Sequence, residues 1–310
     1  MMLSRRRFMT ISAGTAAALL LPPAVRAREM TRWSGFAMGA DASIAISGLA
    51  PADAASLITM ARREVERLEQ IFSLYRAGSA LSQLNGNGRL PLPPADLLQV
   101  LSLSATIHEA TEGAFDPTVQ PLWRLMAETG GQPTPAQKDA ALSLVGFSGV
   151  RVQDAHISFA KKGMALTLNG IAQGYASDRV AALLKAQGLE NVLVDMGEIV
   201  AVGESAPETP WRIGIAERGD GDVEEEIALT DMAIATSAPR GTLLDAQGTV
   251  SHILDPRGRA GASAWRRISV IHSSAAVADG LSTGFALMNR AQIDKAVAAF
   301  AGARVIAAAA

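Results

Sequence analysis

Two short segments in the second half of the chain carry side chains whose types and spacing suit chemistry at a phosphate. In the first, Asp279 and Thr283 are four residues apart, so a helix would place both side-chain oxygens on one face. A carboxylate and a hydroxyl are hard oxygen donors, which Mg2+ accepts when carbonyl groups, water and substrate phosphates complete its shell. Helix capping is the alternative interpretation of the same pair.

The second segment, Ser251–Arg257, places His252 and Asp255 three residues apart, where a strand is expected to end in a proline turn. It brings two titratable side chains close together in the chain. A turn in which Asp255 accepts hydrogen bonds from its own backbone is the alternative.

A third stretch, Leu168–Asp178, holds two glycines where an apolar, strand-like alternation over residues 164–168 gives way to a helix. Gly170 and Gly174 lack a Cβ, so another backbone or a ligand can approach them closely. The free N–H groups that open a helix also suit a phosphate. The alternative is a tight turn with Asp178 in the first turn of the helix, where the macrodipole favours a carboxylate.

The elements that must position these residues alternate between strands and helices. Short strands joined by tight turns, interrupted by four or five helices, predict an α+β fold in one domain, with mainly antiparallel sheets packed against helices. Asp53 is the expected N-cap of the first long helix. The predicted strands are 34–47, 192–195, 199–203, 211–217, 225–229, 233–237, 242–246, 250–254, 265–272 and 304–308. The predicted helices include 53–72, 95–111, 276–288 and 292–300.

Composition excludes several classes of site. The 310 residues include no cysteine, which excludes disulfides, thiolate metal sites and a thiol nucleophile. The sequence has no Walker-type phosphate loop, no Gly-x-Gly-x-x-Gly after a strand, no Gly-x-Ser-x-Gly and no His-Glu-x-x-His. Basic residues do not form a stripe with aromatic ones, so a nucleic-acid partner is not expected.

The N-terminus resembles an export signal. Ser4–Thr10 has the twin-arginine form, the apolar stretch 11–21 is too short to span a bilayer, and Val25–Ala27 resembles a cleavage site. We expect cleavage after Ala27, a domain over residues 28–310, and a periplasmic location without a membrane span; an uncleaved anchor is the alternative. Residues 1–27 hold four of the 28 basic residues and none of the 30 acidic ones. The rest of the chain is therefore more acidic, which disfavours binding to an anionic membrane surface.

The order of short motifs along the chain resembles the ApbE family, the FAD:protein FMN transferases. The motifs are Met38-Gly39, Ser79–Asn85, Gly113–Val119, Gly174–Asp178, Ala235–Ser237, His252–Arg257 and Ala278–Thr283. Each is weak alone, but their order extends over nearly the whole chain after residue 27.

The resemblance implies a T-fold-like α+β domain that binds FAD and Mg2+, releases AMP and attaches FMN to a threonine or serine of a target protein. Such targets are typically membrane redox subunits. By the same resemblance Asp279, Thr283 and the backbone carbonyl near Gly170 are the expected Mg2+ ligands. His252 and Asp255 are the expected bases beside the transferred phosphate, and His252 is favoured because the ordinary pKa of imidazole lies near working pH. The expected FAD-binding residues are Met38, Tyr75, Asp116, Gly170, Gln173, Asp178, Thr236, Ser237 and His252.

The chain departs from the family pattern at three positions. Gln173 stands where many members carry a lysine, Glu198 where a glycine or polar residue is common, and Ala238 where a glycine is usual. These departures leave open which groups neutralise the pyrophosphate. Two alternatives to the transferase stay open on the sequence: a hydrolase that cleaves FAD to FMN and AMP with water, and a flavin-binding protein without turnover.

Overall fold

The computed structural model describes residues 30–310 apart from 154, 217–221, 246 and 260–262. The predicted signal segment and its cleavage site lie outside the described residues. Within the described part, no helix is both long enough and apolar enough to cross a bilayer.

A seven-stranded sheet, antiparallel at every pairing, forms the centre of the fold in the order β1-β2-β6-β7-β10-β11-β12. Its strands are β1 Met30–Ala37, β2 Ala40–Ser47, β6 Val192–Asp195, β7 Ile199–Val202, β10 Met232–Ser237, β11 Trp265–His272 and β12 Arg304–Ala309. Two smaller sheets contain β3 Arg89–Pro91, β4 Val150–Gln153 and β5 His156–Phe159, and the pair β8 Trp211–Ile215 and β9 Glu225–Leu229. The antiparallel α+β prediction is therefore confirmed.

The helices supply the layer that covers one face of this sheet. They are α1 Pro51–Phe72, α2 Ala80–Asn87, α3 Ala95–Ala110, α4 Gln120–Glu128, α5 Pro135–Leu142, α6 Ala172–Ala186, α7 Ala275–Phe285 and α8 Arg290–Val297. The largest apolar core lies between the sheet and these helices apart from α4 and α5, which contribute no residue to it. The β8–β9 hairpin covers the opposite face, where Trp211, Ile213 and Ile215 pack on apolar side chains of the central strands. Both faces are buried, so the central strands are apolar on both sides.

Three predicted elements differ from the structure. Residues 34–47 form parts of two strands, because Met38 and Gly39 have φ of 51° and 84° and turn the chain into a hairpin. Among the described residues of 242–254, the only strand pairing is the isolated bridge between Leu243 and Ser251. There the Asp245 carboxylate accepts the N–H groups of Thr249 and Val250 and closes a loop in place of a hairpin.

The alternation over residues 164–168 is buried but is not a strand. The backbone N–H and carbonyl of Leu166 bond the side-chain amide of Asn85, at 2.7 and 2.8 Å, so this segment pairs with a side chain and not with a sheet. Asp53 is not the N-cap of α1. Ala50 holds that position and Pro51 opens the helix, which places Asp53 in the first turn.

Helices α6 and α7 approach closely because a glycine stands at their contact. A Cβ at Gly174 would lie 2.3 Å from the carbonyl oxygen of Ala275, a distance no side-chain carbon can adopt. The first turns of the two helices are therefore fixed against each other by backbone contact.

Gly174→Ala is expected to destabilise the fold by about 1–3 kcal/mol, because the added carbon must push α6 and α7 apart. Thermal unfolding followed by circular dichroism measures this. Gly86→Ala is the matched control, since Gly86 lies in α2 and a Cβ there meets nothing within 4 Å. Equal unfolding midpoints for the two variants would show that the contact tolerates a side chain.

Candidate active site

A cleft, here called the inner cleft, opens where α6 and α7 begin, beside the end of β10 and the loops at residues 114–117 and 252–256. It brings together most of the polar residues that the sequence singled out. Those that line it are Asp116, Gly170, Gln173, Glu198, Thr236, Ser237, His252, Asp279 and Thr283. None of the described residues that line it is lysine or arginine.

Asp279 lies in α7 with its carboxylate buried in the wall of this cleft. One oxygen, Oδ2, accepts the backbone N–H of Gly174 at 3.2 Å, and the structure gives Oδ1 no hydrogen-bond donor among the described residues. Burial raises the pKa of Asp279 well above its usual range, and the nearby charge of Asp178 adds to the shift. A carboxylate in this environment favours a proton or a cation.

Thr283 follows Asp279 by one helical turn and lines the same cleft. A Cβ at Gly170 would lie 2.7 Å from the Thr283 hydroxyl oxygen, so the glycine backbone reaches this hydroxyl only because it has no side chain. Nowhere in the part of the chain that the structure describes do three His, Cys, Asp or Glu side chains form a metal-binding group. A cation here therefore needs hydroxyl and carbonyl oxygens besides carboxylate. Thr283 and the Gly170 backbone are placed to supply such oxygens, which fits Mg2+.

Glu198, at the turn between β6 and β7, is a second buried carboxylate in this wall. Its Oε2 accepts the backbone N–H of Thr236 at 3.2 Å. Burial raises the pKa of Glu198 well above its usual range, and the charges of Asp279 and Asp195 raise it further. The sequence identified Glu198 only as a departure from the family pattern. An acid directly after a turn glycine between two apolar strands is the signal that was available.

Gln173 is buried in the first turn of α6 and lines the same cleft as the two carboxylates. Its side-chain Nε2 has no hydrogen-bond partner among the described residues, although it is fully enclosed. A Cβ at Gly197 would lie 2.6 Å from this nitrogen, so Gly197 leaves the room that the amide occupies. A buried amide donor without a partner is suited to a phosphate oxygen of a ligand.

One hydrogen bond from the imidazole ring of His252 defines the tautomer of this residue. Its Nδ1 lies 2.9 Å from the carbonyl oxygen of Thr242, and because a carbonyl only accepts, Nδ1 carries the proton and Nε2 keeps its lone pair. Burial lowers the pKa of His252, so the ring is neutral at pH 7. The neutral ring lines the same cleft as Asp279, and an uncharged imidazole nitrogen can act there as a general base.

Two predicted residues, Asp255 and Asp178, line neither the inner cleft nor the outer cleft described below, and the structure gives each another partner. Both oxygens of Asp255 accept hydrogen bonds from the Arg257 side chain at 2.8 Å, which leaves His252 as the base candidate. Asp178 accepts hydrogen bonds from the Ser274 hydroxyl and from the N–H groups of Ala275 and Ala276, so it caps α7.

Three further predicted residues line the cleft with side chains that also bond to protein. Asp116 accepts the N–H groups of Thr118 and Phe147 and shapes the loop. The hydroxyls of Thr236 and Ser237 pair with Ser269 and Ser282, each at 2.9 Å.

A second opening, here called the outer cleft, adjoins the first through Asn169 and Gln173. Met38 and Tyr75 line it, together with Phe36. Tyr75 is 52% exposed and Phe36 is 58% exposed, so both rings present faces on which a planar heterocycle can stack.

Comparison with known proteins identifies the family of this chain. The model of the ApbE family matches residues 38–307. The chain belongs to the ApbE family. It is 32% identical over 286 residues to the FAD:protein FMN transferase of Vibrio cholerae, a match that covers 88% of this chain and 86% of that protein. It is 30% identical over 305 residues to the enzyme of that name from Salmonella typhimurium, covering 91% and 87%.

Solved ApbE structures have the same fold. The flavin transferase ApbE from Vibrio cholerae superposes with a TM-score of 0.78 at 30% identity, over 90% of this chain and 93% of that one. The ApbE protein from Thermotoga maritima superposes with a TM-score of 0.79 at 27% identity, over 90% and 94%. The predicted family and fold are both confirmed.

Asp178→Ala is expected to destabilise this ApbE family member by roughly 1–2 kcal/mol, because three hydrogen bonds at the start of α7 lose their acceptor. Urea unfolding measures the change. Asp53→Ala is the control, since Asp53 lies in the first turn of α1 without a capping bond and acts only through the helix dipole. A loss no larger than that of the control would contradict the capping role.

Proposed function

We propose that this chain is a Mg2+-dependent FAD:protein FMN transferase that attaches FMN to a threonine or serine of a target protein and releases AMP. The observation that carries the proposal is that one cleft holds both an oxygen-donor site without a positive side chain and a neutral histidine with a free Nε2. The names of the relatives support the same reaction.

The diphosphate of FAD carries negative charge into a cleft lined by carboxylates and by no lysine or arginine among its described residues. Asp279, Thr283 and the Gly170 carbonyl would hold Mg2+ there, which supplies the charge neutralisation that the diphosphate and the leaving AMP need. The Gln173 amide donates to a phosphate oxygen but adds no charge.

The reaction is a phosphoryl transfer in which one bond to phosphorus forms and one breaks. The hydroxyl oxygen of the acceptor attacks the phosphorus atom that bears FMN, and the bond from that phosphorus to the AMP oxygen breaks. Nε2 of His252 takes the hydroxyl proton, while the Thr242 carbonyl holds the ring in the tautomer with a free lone pair. The products are a phosphoester on the acceptor and AMP.

Location and acceptor are also parts of the proposal. The twin-arginine segment supports export to the periplasm, cleavage after Ala27 and a working domain over residues 28–310. The acceptor in this proposal is a membrane redox subunit that presents its threonine or serine on the periplasmic side. The open mouth of the outer cleft leaves room for a protein segment to approach bound FAD.

Asp279→Asn is expected to lower the rate of FMN transfer about 100-fold or more, because it removes the charged ligand at the diphosphate. The purified protein is incubated with FAD, Mg2+ and an acceptor domain that carries a flavinylation threonine, and in-gel fluorescence of the denatured acceptor is measured. EDTA should abolish the fluorescent band in the unchanged protein. Asp294→Asn, on the exposed face of α8, is the control.

Three outcomes of this assay would contradict the transferase. AMP release without a labelled acceptor, with several acceptors tried, would indicate an FAD pyrophosphatase. Neither AMP nor label would indicate a flavin-binding protein. Full labelling of the acceptor in the presence of EDTA would contradict the requirement for Mg2+.

His252 is expected to set the acidic limb of the pH profile for FMN transfer. Its pKa is lowered by burial, so the ring is neutral and active above that value and becomes protonated and inactive as the pH falls below it. The limb should therefore have its midpoint below the ordinary imidazole value of about 6.5. Rates measured between pH 4.5 and 8 give this midpoint.

His252→Ala should lower the transfer rate by roughly 100- to 10,000-fold and remove this limb. His156→Ala, on β5 outside both clefts, should change neither. Near-normal transfer by His252→Ala would contradict the assignment of the base.

A further inference from the structure

We propose that Glu198 is a second carboxylate ligand for a divalent cation in the inner cleft, so that this protein binds the cation before any nucleotide arrives. The inference deepens the proposed function and rests on its metal site at Asp279. It concerns a residue that the family resemblance assigned no role.

The first observation is that the two acids have matching surroundings. Glu198 and Asp279 are 5% and 3% exposed, and both line the inner cleft. Each has one oxygen held by a backbone N–H from another element, Thr236 for Glu198 and Gly174 for Asp279. For the second oxygen of each acid, no hydrogen-bond donor is found within the described part of the chain. These two oxygens are the ones available to a ligand.

The second observation is the lack of compensating charge. Burying a carboxylate costs several kcal/mol unless a charge, hydrogen bonds or a metal stabilise it, and two like charges in one wall raise that cost. The described residues around the inner cleft offer no lysine or arginine, and neither acid forms an ion pair there. A divalent cation matches the charge of the two carboxylates and removes their repulsion.

The third observation is independent of the acids and concerns Gln173. This side chain is 6% exposed, lies against Gly197 immediately before Glu198, and has an amide nitrogen without a partner among the described residues. A buried donor without an acceptor indicates that another group occupies the adjacent space when the protein is functional. A water molecule of a hydrated cation, or a phosphate oxygen of the nucleotide, provides the missing acceptor.

Position supports the same conclusion. Glu198 stands in the tight connection between β6 and β7, with the turn fixed by the N–H of Gly197 donating to Asp195 at 2.9 Å. The Ser177 hydroxyl donates to the backbone carbonyl of Glu198 and ties the turn to α6. The side chain is therefore presented from a rigid element, as a preorganised ligand requires.

Glu198→Gln tests the proposal because the amide keeps the shape and can still accept the Thr236 N–H, but has no charge. Titration calorimetry of the nucleotide-free protein with MgCl2 and with MnCl2 measures the affinity. We expect the variant to bind at least tenfold more weakly than the unchanged protein. We also expect Mg2+ to raise the thermal unfolding midpoint of the unchanged protein and to leave that of the variant nearly unchanged.

Asp195→Asn is the matched control. Asp195 is three residues away and its charge also acts on Glu198, but it does not line the inner cleft. If Glu198 is a ligand, the control should bind Mg2+ within about threefold of the unchanged protein. Equal weakening in the two variants would show that only the electrostatic field of the acids matters, and would overturn the proposal.

Two further results decide the remaining cases. Unchanged Mg2+ affinity in Glu198→Gln would overturn the proposal even if FMN transfer is normal. If Glu198→Gln does not fold, Glu198→Asp keeps the charge on a shorter side chain, and loss of Mg2+ affinity in the folded variant supports ligation. A protein that binds Mg2+ through Glu198 but labels no acceptor would overturn the proposed function and leave this inference standing.

Discussion

The candidate site depends on the close approach of the first turns of α6 and α7. Gly174 permits that approach, because its missing Cβ leaves room for the Ala275 carbonyl. The same residue donates its N–H to Asp279, and Asp178, one turn further along α6, caps α7. The contact therefore fixes both the backbone of α7 and the direction of the carboxylate that α7 contributes, although the two helices are a hundred residues apart in the chain.

The sequence predicted this pair of helices but could not predict what each polar residue does at their contact. Asp178 and Asp279 are both acids near a helix start, and spacing alone does not distinguish a cap from a ligand. The distinction arises from tertiary structure: Asp178 meets the open N–H groups of α7, whereas Asp279 faces a cleft. The His252–Asp255 pair separates for the same reason, because Arg257 occupies both oxygens of Asp255.

The apolar pattern of the sequence predicted the central strands of the sheet well. It failed where the backbone of a segment bonds to a polar side chain and not to a neighbouring strand. The central strands are apolar on both faces, which the sequence shows directly. Asn85 bonds to Leu166, and Asp245 bonds to Thr249 and Val250; these bonds replace the strand pairing that an apolar alternation suggests. The bond between Asn85 and Leu166 joins residues 81 apart, so no local window contains it. The Asp245 bonds are local, but an apolar alternation does not reveal them. Glu198 was missed as a site residue because its role depends on Asp279, which lies on another element.

The electrostatics of the inner cleft have one physical cause with two opposite effects. Burial disfavours every charged form, so it raises the pKa of Glu198 and Asp279 and lowers that of His252. In an empty cleft all three groups therefore tend towards neutrality. If the cleft binds a cation as proposed, its charge would stabilise the deprotonated carboxylates. The same charge would further disfavour a proton on His252 and keep the proposed base free. The binding of one ion would then allow a cleft lined by acidic residues both to bind an anionic diphosphate and to accept a proton.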